Sequence, residues 1–195
     1  MKEDLDKLIL LALSLGASEA HNLSSADIVV EDQLALKCIE PKCENYGKSF
    51  SCPPYVDGPD AFREITRTLT QSIVVRLVVP SVMLLSWEQV DVGKILHEMV
   101  ATIELEAINM GYTESAGFAG GSCKDLFCQD HLSCRQIEEN APCRHPDLAR
   151  PSMSGFGVDV FRLIKSCGWE TNLNIVDELP EDDQLSWVAG LIMIG

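Results

Sequence analysis

Apolar residues Leu5, Leu8, Ile9, Ala12 and Leu15 recur at helical spacing near the start of the chain, and Gly16 behind them is a helix stop. Residues 3–15 therefore read as an amphipathic helix. Residues 26–37 are rich in Ile, Val and Leu and predict a strand running into the first of two cysteine segments. Asp57-Gly58-Pro59-Asp60 is a turn, after which Phe62, Ile65 and Leu69 mark a short helix starting near Pro59 or Asp60. The β-branched run 72–79, ended by Pro80, has the pattern of a buried strand. A longer helical pattern follows, in which Val92, Ile95, Leu96, Met99, Val100, Ile103, Ala107 and Met110 keep one face apolar until Gly111. Ser86 and Gln89 resemble a capping box at its start. Residues 116–121 suit a short strand, Asp159 suits the N-cap of a helix over 160–167 closed by Gly168, and residues 172–176 and 185–194 suit two final strands. Strands alternating with helices predict an α/β fold, a small mixed sheet with flanking helices. With no repeat, low-complexity segment or linker, residues 1–195 read as one domain.

Composition narrows the class. Hydrophobic residues make up 46% and charged residues 23% of the 195, which is enough apolar surface for an ordinary core. Thirty Asp and Glu against 15 Lys and Arg give a formal net charge of −15. An acidic chain without a basic patch is a poor partner for nucleic acid or for an anionic membrane, and leaves room for a basic redox protein steered by charge. The apolar stretches 73–85 and 187–194 are broken or too short to cross a bilayer. The start, Met1-Lys2-Glu3-Asp4-Leu5-Asp6, is acidic where an export signal is basic. The expectation is a cytoplasmic protein with reduced thiols, and eight cysteines in that setting point to metal or redox chemistry.

Seven of those cysteines fall in two short tracts. Cys38, Cys43 and Cys52 form C-x4-C-x8-C followed by Pro53-Pro54, within loop 38–54. Cys123, Cys128, Cys134 and Cys143 form C-x4-C-x5-C-x8-C, within loop 121–146. Buried structural cysteines scatter through core elements as small hydrophobes, whereas these sit among Gly, Pro, Asp, Asn and Lys, where thiols can converge on a bound metal. Structural zinc sites usually show paired C-x2-4-C knuckles, and neither tract has a C-x2-C. Iron–sulfur clusters tolerate wider spacing, and a ligand cysteine followed by proline, as at Cys52-Pro53, occurs in bacterial ferredoxin runs. Four thiolates in the second tract suffice for one [4Fe-4S] cluster; three in the first leave an open iron or borrow a ligand such as Cys167. One or two iron–sulfur clusters are the leading cofactor, with zinc as the alternative.

The chain also resembles a known family. C-x4-C-x2-Y-G-K-S-x2-C-P-P over residues 38–54, Ala116-Gly117 with Gly120-Gly121 before Cys123, and P-C-R-H-P over 142–146 with Ala149-Arg150-Pro151-Ser152-Met153 and Gly157-Val158-Asp159-Val160 are similar to the cysteine-rich DUF2284 proteins of anaerobic archaea and bacteria. The resemblance covers about residues 38–195 and implies metal or iron–sulfur binding, without a reaction. Phe50 stands where members tend to carry Trp, and the second tract is more widely spaced than theirs.

Other candidates surround the thiols. Gly47-Lys48-Ser49 lacks the earlier glycine of a phosphate loop, since Lys42 stands there; Gly47 instead suits a tight turn, with Lys48 and Ser49 donating to ligand sulfurs. Gly117, Gly120 and Gly121 suit a backbone approaching a cofactor. Arg144 and Arg150 can offset a thiolate cluster's charge, hold a carboxylate, or form surface ion pairs. His131 and His145 are alternative ligands, His97 reads as solvent-facing, His21 as a loop residue and Cys167 as a packed thiol. Three functions remain open: an iron–sulfur electron carrier or redox accessory in anaerobic metabolism, a cluster-dependent enzyme with an open iron, and a zinc-stabilised interaction module.

Overall fold

A computed structural model describes residues 1–171 and 184–195. Among them helices α1 (Lys2–Ser14), α2 (Asp32–Leu36), α3 (Gly58–Thr68), α4 (Ser81–Leu85), α5 (Gln89–Asn109), α6 (Cys123–Phe127), α7 (Arg135–Glu138) and α8 (Val160–Ser166) surround four strands. Strands β1 (Glu19–Ser24), β2 (Gln71–Pro80), β3 (Ala116–Ala119) and β4 (Leu185–Ile194) form one sheet in the order β1-β2-β4-β3. The α/β class with a small sheet and flanking helices stands; its ladders are all antiparallel rather than mixed. None of the described helices is long and apolar enough to cross a membrane.

The sheet is covered on both faces. Along β2, Ile73, Val75 and Leu77 pack with α1 and α5 through Leu5, Leu8, Leu96 and Val100. Val74 points the other way, with Leu191 and Met193 of β4, into a second core built on Phe62, Phe118, Phe156, Leu163 and Ile164. A strand buried on both sides reads as a continuous apolar run, which is why 72–79 and 185–194 were legible as strands. Each fully buried Leu, Ile or Phe contributes about 1.5–3 kcal/mol relative to leaving it exposed. Gly190 sets the helix-to-sheet distance, because a Cβ there would lie 2.3 Å from a Val100 methyl.

Several expectations needed correction. Residues 26–37 are not a strand: Ser25–Asp27 is a 3-10 turn, Val30 makes a single bridge to Val158, and α2 follows. The bridge is pinned by Glu31 N–H donating to Gly157 O and Asp159 N–H to Val29 O. The strand lies earlier, at β1, an edge strand whose only fully buried residue is Leu23. Its sequence, EAHNLS, gives almost no hydrophobic signal, so His21 is a strand residue rather than a loop one. Helix α5 starts at Gln89 with Glu88 as its N-cap, and Ser86 Oγ accepts from Glu88 N–H at 3.1 Å in place of a reciprocal box. Asp159 does cap α8, accepting from Arg162 N–H. The strand predicted over 172–176 lies outside the described residues.

Candidate metal centre

The first cysteine tract connects α2 to α3 through successive tight turns. Cys43 N–H donates to Cys38 O, Tyr46 N–H to Cys43 O, and Cys52 N–H to Ser49 O. Gly47, at φ 76°, reverses the chain so that its own N–H reaches Pro53 O at 2.8 Å. That conformation favours glycine and matches the turn role read from the sequence. The reversal places Cys38, Cys43 and Cys52 on one cavity of about 150 Å³. Burial, and then the neighbouring Cys43 and Cys52, push the Cys38 thiol above its usual pKa. Thiolates gathered here want a cation.

The second tract leaves β3, and α6 begins at Cys123 itself. Lys124 Nζ donates to the carbonyls of Cys128 and His131, both at 2.7 Å, closing the loop between Cys128 and Cys134. Cys134 is the N-cap of α7, and His145 N–H points at Cys143 Sγ, 3.4 Å away. Cys123, Cys128, Cys134 and Cys143 thereby line a single cavity of about 400 Å³. Lys124, Arg135 and Arg144 share its walls, a local excess of positive charge in a protein of net −15. Arg144 also donates to Ser133 O and pairs with Glu139 at 3.6 Å. Burial pushes the Cys123 thiol up to about 11, against the pull of hydrogen bonds from Ser51 and Ser49 and with a further push from Cys52 and Cys143. Cys128 is raised for the same first reason, then by Cys143, while Arg144 and Lys124 oppose the shift.

The two thiol sets are neighbours. Ser51 Oγ lies 2.9 Å from Cys123 Sγ and 3.0 Å from Ser49 Oγ, so the residue beside Cys52 hydrogen-bonds a thiol of the other set. Asn45 Nδ2 donates to Asp125 Oδ2 at 2.6 Å, a second bond between the tracts. Ser152 N–H donates to Ser51 O, and Ser152 in turn bridges Ala119 of β3, so the sheet carries both tracts. Among the described residues no three His, Cys, Asp or Glu side chains gather tightly enough to chelate a single ion. All eight cysteines are free thiols. A family model for predicted metal-binding proteins, DUF2284, matches residues 21–194 and so spans both tracts. The chain belongs to the DUF2284 family. No curated protein and no solved structure matches it.

In this DUF2284 protein the residues read from sequence sort unevenly. Ser49 is buried and joined to Cys123 through Ser51, whereas Lys48 is exposed and lines a different cavity with Lys124 and Cys134. Gly121, at φ 85°, borders the three-thiol cavity. Gly117 instead admits α5, since its Cβ would lie 2.7 Å from a Val100 methyl. Arg150 forms an ion pair with Glu104 that is largely buried, at 13% and 15% side-chain exposure, not on the surface. Cys167 lies in the second core and burial pushes its thiol to about 12, as the packed-thiol reading expects. Neither His131 nor His145 is among the described residues lining the four-thiol or the three-thiol cavity.

His97 is the clearest correction, being fully buried instead of facing solvent. Its Nδ1 accepts from Arg150 N–H at 3.2 Å, which leaves Nε2–H to donate to Gly120 O at 3.1 Å. Its ring meets Phe127 edge-on, and Phe127 continues to His145. One neutral imidazole thus ties both ends of the four-thiol segment to α5. Burial lowers its pKa from 6.5 to about 4, the Gly120 bond opposing and the Arg150 charge assisting. Ser51 also touches a thiol of the four-cysteine set, and the sequence signals it only by adjacency to Cys52.

Proposed function

We propose that this DUF2284 protein carries iron–sulfur clusters in electron transfer or as a redox accessory of anaerobic metabolism. The observation that carries the reading is the sorting of seven thiols into two adjoining cavities, four in one and three in the other. Thiols that share a cavity without converging on one point suit a cluster, whose irons each take a separate thiolate, better than one tetrahedral zinc ion. Cys123, Cys128, Cys134 and Cys143 would supply a full thiolate set, and Cys38, Cys43 and Cys52 would leave one position open. A bound cluster would supply reversible one-electron transfer.

The protein's own groups fit that role. Lys124, Arg135 and Arg144 offset the negative charge of a four-thiolate set. Ser51 Oγ lies 2.9 Å from Cys123 Sγ and would donate to that sulfur once it is a metal-bound thiolate, and hydrogen bonds to ligand sulfur tune reduction potential. The raised thiols of Cys38, Cys123 and Cys128 stay protonated until a metal displaces the proton, so loading releases acid and tightens as pH rises.

The test is purification without oxygen, a visible spectrum, and a count of iron, zinc and sulfide per chain. A coloured protein with iron and sulfide is expected, and Cys43→Ser and Cys134→Ser should remove different parts of the absorbance. A colourless protein with stoichiometric zinc and no sulfide would sink the cluster reading in favour of a zinc-stabilised module. Identical losses in the two variants would collapse two sites into one. The open position in the three-thiol set favours a second reading, a cluster-dependent enzyme.

A further inference from the structure

The three-thiol cavity does not end at its thiols. Asn45, Gly121, Ser122 and Ser154 line it and also line a larger cavity, about 570 Å³, that runs toward α5 and the middle of β4. That volume lies in the range of small-molecule pockets. Its floor is apolar, formed by Leu84, Val90, Leu96, Leu126, Met153 and Val188. On the shared wall two buried polar atoms, Ser122 Oγ and Asn45 Oδ1, have no hydrogen-bond partner among the described residues. Ser122 is only 4% exposed, so its unpaired hydroxyl is costly unless something else meets it.

The bonding pattern selects the missing partner. Asn45 Nδ2 is committed to the Asp125 carboxylate, which fixes the amide with Oδ1 as a free acceptor. A free acceptor needs a donor, and Ser122 can accept or donate to the same head group. Among the described residues the charged ones lining the larger cavity are Glu44 and Asp125, both acidic, which disfavours an anion.

We infer that this larger cavity is the ligand pocket of the three-thiol site and takes a small alcohol or amine with an apolar body, its donor head held by Asn45 and Ser122 beside the open metal position. The inference rests on the proposed metal at Cys38, Cys43 and Cys52, and the two fail separately. Benzyl alcohol, benzylamine and benzoate share one body and differ in head group, and serve as probes titrated calorimetrically into anaerobically purified protein. The alcohol and the amine bind saturably, and benzoate binds at least tenfold more weakly. Val90→Trp, which fills the floor, abolishes binding, and Ser122→Ala weakens it about three- to tenfold, the worth of one neutral hydrogen bond.

In metal-loaded protein, benzyl alcohol also perturbs the EPR or visible spectrum, and Cys43→Ser, which removes a ligand of that metal, abolishes the perturbation. Benzoate binding as tightly as benzyl alcohol, or binding indifferent to both Val90→Trp and Ser122→Ala, overturns the pocket. A bound alcohol that leaves the spectrum of loaded protein unchanged overturns its assignment to the three-thiol site. Protein without metal in that site would defeat the proposed function, and with it the metal-adjacent half of the inference, while the isotherms still decide the pocket.

Discussion

His97 gives the sharpest test of how the four-thiol loop is anchored. Its ring is neutral in the folded protein, accepting from Arg150 N–H on one side and donating to Gly120 O on the other. Its pKa falls from 6.5 to about 4, burial being the main cause. The charged groups facing it are few: Arg150, whose cation also disfavours imidazolium, and Glu104, which pairs with Arg150. A lowered folded pKa means that the unfolded chain binds the extra proton first, so His97 contributes its stability in full above pH 6.5 and loses it as pH falls toward 4. A displacement of that size is worth about 3 kcal/mol. The perturbation is His97→Gln, which keeps a donor and an acceptor but cannot titrate. Urea unfolding of reduced, metal-stripped protein, read by tryptophan fluorescence, should show the stability gap between wild type and variant narrowing by about 3 kcal/mol between pH 7 and pH 4. Comparing the two proteins cancels the titration of the acidic residues common to both. A gap that stays constant across this range, or a His97 ring already protonated at pH 6 by NMR, would refute the reasoning.

Other outcomes follow from the same geometry. Gly157→Ala should cost about 1–3 kcal/mol in urea unfolding, because φ is 72° and a Cβ would sit 2.5 Å from Glu31 O; a melting temperature equal to wild type would count against the bridge it supports. Glu104→Gln should cost about 3 kcal/mol by stranding the Arg150 cation in a largely buried place, and joint replacement of Glu104 by Leu and Arg150 by Met should recover much of it. In metal-free protein at pH 8, iodoacetamide followed by mass spectrometry should label exposed Cys43 first and Cys123 and Cys167 last, since burial holds the latter two near 11 and 12; early labelling of Cys123 would contradict its assigned environment. Ser51→Ala should raise the Cys123 thiol further and, if the four thiols hold the proposed cluster, move its potential to more negative values, measured by redox titration.

The parts of the fold that sequence predicted are those whose burial leaves a pattern. β4 spans Leu185–Ile194 as expected because both its faces are covered, and α5 is long enough for its period to dominate. β1 was missed because an edge strand with one fully buried residue looks like a polar loop, and the Ile-Val-Val run at 28–30 attracted the strand assignment in its place. The division of the cysteines was visible from spacing alone, and the structure places each tract on its own cavity. What spacing could not show is that the cavities adjoin. The Asn45–Asp125 and Ser51–Cys123 contacts join residues 80 and 72 positions apart, and Ser152, whose N–H donates to Ser51 O, holds the first tract beside β3. His97 reads as solvent-facing from the apolar pattern, but Ile95 is the exposed residue and His97 the buried one, so the buried face of α5 is rotated from the one that pattern suggested.

The position of β4 bears on how the protein acquires metal in the first place. It lies C-terminal to both cysteine tracts, yet it is the strand that joins β3 to β2. Until it has been made, the segment carrying Cys123 to Cys143 has no sheet to hang from, and the thiols of the two tracts have no common support. If the two tracts hold metal as proposed, metal meeting a growing chain would find scattered thiols, and the two cavities would be complete only once β4 has joined the sheet. On the proposed reading, a chain truncated before Leu185 is accordingly expected to bind less metal than the intact chain.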